Sequence, residues 1–126
     1  VKPMNEVKIS DKAGRQIVVF DQLDVTYPGG VYIDPTTAKA RFTDGVIPAG
    51  TLVMPDTNGT FKVVNETLSQ TNTAGAVGLT AHDVVIDDIP LVAVVMAGTA
   101  RKEALPDKEK AGVAFLRTAL PRISFI

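Results

Sequence analysis

The sequence predicts a mainly β fold, a small barrel or sandwich-like domain with one short C-terminal helix. Three observations carry this. Short runs of β-branched and aromatic residues are punctuated by Gly, Pro, Asn and Asp over most of the chain. The run IPLVAVVMA, Ile89 to Ala97, has the length and branching of a strand buried on both faces. Between Leu105 and Pro121 the apolar spacing changes from that of a strand to that of a helix.

Taken in order, residues 1–16 are polar, charged and aperiodic, with Pro3 and Gly14, and read as a flexible N-terminal arm that a partner orders. Residues 17–126 read as a single β-rich domain. Its first strand-like run is QIVVF, Gln16 to Phe20. In LDVTYPGGVYID two β-branched and aromatic runs flank Pro28-Gly29-Gly30, the signal of a hairpin or tight corner. Ala38, Ala40 and Phe42 then alternate with Lys39, Arg41 and Thr43, the pattern of a half-buried strand.

Asp44-Gly45 and Pro48-Ala49-Gly50 supply turns, since Pro presets the first central position and Gly accepts a positive φ. Thr51 to Met54 reads as a strand, Asp56 to Thr60 as a loop, and Phe61 to Val64 as the returning strand of a hairpin. Asn65 to Ala74 reads as a polar surface loop, and Gly75 and Gly78 flank the next short strand. Val92, Val94 and Val95 are the expected anchors of the core. Pro106 fits a first helical turn, with Asp107 and Glu109 near its positive end and Arg117 near the other. Gly112, Phe115, Leu116 and Ala119 form a narrow apolar stripe that Pro121 ends. The closing RISFI reads as a final strand, pairing with the body or with a neighbouring subunit.

Composition removes several function classes. At 126 residues the chain is the size of one domain, and its formal net charge of -1 gives no electrostatic drive toward nucleic acid or an anionic membrane. With no cysteine there is neither a disulfide framework nor a Cys-based zinc site, and a reducing cytoplasm suits the chain. The longest apolar run, Ile89 to Gly98, is about half the length of a membrane-spanning helix, and the amino end lacks the apolar core of a secretory signal.

Chemistry-bearing residues are sparse. The single His82 lies near Asp83, Asp87 and Asp88, and a hydrolase would need a nucleophile such as Ser69 beside it. No G-x-S-x-G motif is present, and no second His or Cys completes a zinc set. The acidic group could hold a hard cation, but its spacing is not that of an EF-hand loop. Lys102, Lys108 and Lys110 interleave with Glu103, Asp107 and Glu109 and read as a solvated helix face. The reading is therefore non-enzymatic, with no catalytic, cofactor or metal residue assigned. An alternative is a carbohydrate or host-surface binding module using Tyr27, Tyr32 and the loop Thr67 to Thr73.

The order GVIPAGTLV, GTFKVV, GAVGLTAHDVV, IPLVAVVMAGTARKEALP and LRTALPRISFI, covering Gly45 to Ile126, resembles the capsid decoration and head fibre proteins of tailed bacteriophages. The resemblance implies a β-tulip type of domain and a homotrimer that sits on the outside of the virion and clamps neighbouring subunits of the major capsid protein. It implies a cement, or the base of a short head fibre, made in the host cytoplasm and stabilising the capsid. By the same resemblance the arm, through Val7, Ile9 and Ile17, contacts the shell, and Ile123, Phe125 and Ile126 form the oligomer interface. The chain lacks the heptad or collagen-like extension of longer head fibres.

Overall fold

The computed structural model describes residues 19–88 and 90–126. Residues 1–18, and with them Val7, Ile9, Ile17 and the arm, lie outside the described residues, as does Ile89. Strand outweighs helix, and the fold is mainly β. The main sheet is built from β1 (Phe20–Thr26), β4 (Leu52–Pro55), β5 (Phe61–Val63), β6 (Gly78–Thr80), β9 (Val94–Ala100) and β10 (Ile123–Phe125). Its order is β1-β9-β6-β4-β5, with β10 pairing β9 off this path. The order is open, so no closed barrel forms among the described residues. Two short ladders complete the β structure: β2 (Val31–Tyr32) with β8 (Leu91–Val92), and β3 (Val46–Ile47) with β7 (Val84–Val85).

The alternation of side chains along a strand explains why the central runs are apolar throughout. On β4, Leu52 faces one core and Val53 the other; on β9, Val95 faces the first and Val94 the second. The first core lies under the C-terminal helices and takes in Leu79, Leu116, Leu120, Ile123 and Phe125. The second takes in Val31, Ile33, Ile47, Val63 and Val92. The sheet is thus covered on both sides, and the predicted anchors Val92, Val94 and Val95 are fully buried. The predicted β4–β5 hairpin forms, with Val53 opposite Val63 and Pro55 opposite Phe61.

Three elements differ from expectation. The alternating segment after Pro35 is a helix, α1 (Pro35–Arg41), because Asp34 accepts the Thr36 N–H at 2.9 Å and Pro35 occupies the first turn. Inside the Asn65–Ala74 loop lies α2 (Gln70–Thr73), closed by a reciprocal cap in which Ser69 Oγ accepts the Asn72 N–H and Asn72 Oδ1 accepts the Ser69 N–H. Of the two readings of Pro28-Gly29-Gly30, hairpin or tight corner, the corner is found, since β1 pairs with β9 and β2 with β8.

The C-terminal helix is two, α3 (Asp107–Ala111) and α4 (Val113–Ala119), separated at Gly112. The break has a packing cause: a Cβ at Gly112 would lie 2.6 Å from the Leu68 side chain, so only glycine lets the elbow seat on the core. Gly98 likewise combines a φ of 155° with an approach that would set a Cβ 2.3 Å from the Gln22 carbonyl oxygen. It lies where the β1–β9 register shifts, the position of a bulge.

Candidate interaction surfaces

The interior holds one pair of opposite charges whose partners come from distant parts of the chain. Glu109 on α3 is fully buried, and its carboxylate takes a bidentate fork from Arg41 at the end of α1: Nη1 donates to Oε2 at 2.7 Å and Nη2 donates to Oε1. Glu109 Oε2 also accepts the Leu52 N–H at 2.9 Å, and Arg41 Nη1 also donates to the Val64 carbonyl at 3.1 Å. The Arg41 guanidinium lies 4.7 Å from the centre of the Phe42 ring. The expectation that Glu109 belongs to a solvated face is therefore corrected. Leu105, Glu109, Gly112, Leu116 and Leu120 fall on one helical stripe, and that spacing places Glu109 inward.

Two of the residues weighed for chemistry, Asp83 and Ser69, hold local structure together. Asp83 Oδ1 accepts the Ala49 N–H at 2.7 Å and so fixes the turn before β4. Ser69 is the α2 cap, and His82 is exposed in the turn between β6 and β7. Among the described residues no group of three or more His, Asp or Glu side chains is arranged to hold a metal, and no helix is long and apolar enough to cross a membrane. Tyr27 is half-buried with its ring edge-on to Phe61 at 5.8 Å, whereas Tyr32 points outward, so the two tyrosines are differently engaged.

Three exposed areas remain. The first is β1, which forms one end of the sheet and whose residues from Asp21 to Thr26 are all exposed, including Leu23 and Val25. Its edge carries register shifts, Asp21 paired with Arg101 at 2.8 Å, and Asp24, features that blunt uncontrolled strand pairing.

The second is the outer face of the β2–β8 ladder. Tyr32 and Leu91 stand directly opposite each other in the register and are each 51% exposed, while Val31 and Val92 fill the inner face. Beside this apolar ridge an open depression of about 390 Å³ is lined by Tyr32, Asp34, Asp56 and Asp88.

The third is an open groove of about 610 Å³ between α2 and α4, lined by Ala74, Gly75, Ala114, Phe115 and Ala119 among others. Through Ala119 it continues into a smaller depression lined by Met96, Pro121 and Arg122. Arg122 is exposed in this smaller depression, and Arg117, exposed on α4, donates from Nη2 to the Phe125 carbonyl at 3.3 Å.

The residues expected at an oligomer interface divide. Ile123 and Phe125 are buried in the first core, because β10 lies parallel to β9 of its own chain with Ile123 opposite Gly98 and Phe125 opposite Ala100. Ile126 is exposed. The sequence singles out Tyr32 and the loop Thr67 to Thr73, and the structure places Tyr32 on the ridge and Gln70 and Thr73 in the groove; that Leu91 and α4 complete these surfaces depends on pairing between segments far apart in the chain. No protein-family model matches the chain, and no curated protein matches it.

Proposed function

We propose that the chain is a non-enzymatic head decoration protein of a tailed bacteriophage, a cement or the base of a head fibre, which binds the outer surface of the major capsid protein shell as a homotrimer and stabilises it. One observation supports this reading above the others. The segments that carry the resemblance each contribute a strand to one sheet: GVIPAGTLV leads into β4, GTFKVV forms β5, GAVGLTAHDVV contains β6, IPLVAVVMAGTA contains β9 and LPRISFI ends in β10. The similarity therefore extends over a connected core and not over scattered turns.

The physics of the role is compatible with the fold. Residues 1–18 lead directly into β1, which pairs along its length with the central strand β9. A segment bound to the shell through Val7, Ile9 and Ile17 would transmit load into the central, largely buried strand of the sheet. Three such attachments on one oligomer raise avidity through effective concentration, so no single contact has to be strong.

The test is co-sedimentation with mature heads of the phage that carries the gene, stripped of bound decoration protein. The full chain is expected to pellet with the heads, and a chain lacking Val1 to Gly14 is expected to keep its circular dichroism spectrum and melting profile while remaining in the supernatant. Failure of the full chain to bind, or undiminished binding by the shortened chain, contradicts the proposal.

A further inference from the structure

We propose that copies of this chain associate head to tail, the Tyr32–Leu91 ridge of one copy seating in the α2–α4 groove of the next. The inference rests on the reading above only in taking the chain to be oligomeric, and it names the two surfaces that meet.

The ridge is convex and apolar: two large side chains, facing the same way, each half exposed on a ladder whose other face is core. Large exposed side chains of this kind are anchors in search of a pocket. The groove offers an apolar strip to receive them. Small residues, Ala74, Gly75, Ala114 and Ala119, line it together with the polar Gln70, Thr73 and Thr118, and the Phe115 ring is 40% exposed beside them. Alanine and glycine walls leave room for a leucine and a tyrosine, and a phenylalanine offers an aromatic edge or face to the tyrosine ring.

Charge makes the choice of occupant. Residues 19–100, which carry the ridge, hold nine carboxylates and three basic groups. Residues 101–126, which form one wall of the groove, hold six basic groups and three carboxylates. The near-neutral chain is thus strongly polarised. Asp34, Asp56 and Asp88 sit beside the ridge, and Arg122 lines the extension of the groove with Arg117 exposed on the same helical segment. Two ridges brought together would place carboxylates against carboxylates, and two grooves would place arginines against arginines. Ridge against groove places Asp88 and its neighbours near Arg122, the arrangement that steers encounter and fixes register.

Because the two surfaces are different parts of the molecule, the contact is heterologous. It uses one ridge and one groove per copy, and it closes into a ring when the rotation allows.

Mixing tests this directly. Leu91→Lys replaces the ridge's apolar anchor by a cation that would face the apolar groove and the neighbouring Arg122, and Ala114→Glu sets a carboxylate in the groove, facing the ridge and its neighbouring aspartates. Both sites are exposed, so folding should be retained and is checked by circular dichroism. By light scattering the wild-type chain is expected as a trimer and each variant alone as a monomer. Mixed in equal amounts, they are expected to form a heterodimer, since the first keeps an intact groove and the second an intact ridge. If either variant folds poorly, Asp88→Arg and Arg122→Asp replace it, and these exposed charges carry the same expectation.

A monomeric wild-type chain overturns the inference. So does a variant that keeps the wild-type mass, or a mixture that stays monomeric. A monomeric wild-type chain would also contradict the homotrimer of the proposed function, whereas the variant and mixing results bear only on which surfaces meet, and pelleting with phage heads is read separately.

Discussion

Replacing Arg41 by Met is expected to lower the stability of the fold by about 3–5 kcal/mol, because it leaves the Glu109 carboxylate buried with a single backbone N–H as its partner. The pair draws its importance from position. Arg41 ends α1, Glu109 sits in α3, and the same two groups bind backbone at Leu52 and Val64, so four segments converge on one fork. The Arg41 and Glu109 side chains are 3% and 0% exposed, so water cannot take over the missing contact. Asp107, 3.6 Å from Arg41 Nη2, adds little because its side chain is 87% exposed.

The double variant Arg41→Met with Glu109→Gln is expected to recover most of the loss. No charge is then buried, and the Gln oxygen still accepts the Leu52 N–H. The Arg41 Nε, buried without a partner among the described residues, is a further cost that Met removes. Urea unfolding, with slopes compared to ensure the same surface is exposed, measures each step. A single variant that loses less than about 1 kcal/mol would mean that the pair is hydrated and not a clamp.

The second large effect is expected at Gly78. Its Cβ would lie 2.2 Å from the Val95 carbonyl oxygen and 2.8 Å from Val94 Cγ1, both on the central strand. β6 is held on one side by β4 and on the other by β9, so it cannot move away from one neighbour without entering the other. Gly78→Ala is therefore expected to cost about 3 kcal/mol through overpacking at the centre of the sheet. Gly75, three residues earlier, is the control. Its φ is 81° but nothing lies within 4 Å of its added Cβ, so Gly75→Ala carries only the left-handed backbone penalty, about 1 kcal/mol. Equal urea midpoints for the two variants would contradict the packing account.

The same contrast between local and long-range effects decides what the sequence made legible. The β4–β5 hairpin and the buried run around Val92, Val94 and Val95 are local patterns, and both are found. Helix α1 was missed although its signal is local too. The alternation of Ala38, Ala40 and Phe42 outweighed Asp34-Pro35, an N-cap followed by a first-turn proline. The Ser69–Asn72 cap of α2 was hidden in the same way by the polarity of its segment.

The surfaces were less accessible to reasoning of this kind. Tyr32 meets Leu91 across fifty-nine positions of chain, and the groove needs α2 to pack on α4. Mixed charges in a helix suggested a solvated face, and only the sheet beneath α3 turns Glu109 into an interior anchor. The uneven charge between residues 19–100 and 101–126 is present in the sequence, but only the fold sets where its aspartates and arginines lie relative to the ridge and the groove.

The central claim is that the chain coats a phage head, and the most direct measurement is its copy number in purified virions by quantitative mass spectrometry, relative to the major capsid protein. The account predicts copies on the scale of the capsid subunits themselves, released together when the heads are stripped. A protein absent from the virion, or present at only a few copies per particle, would contradict it.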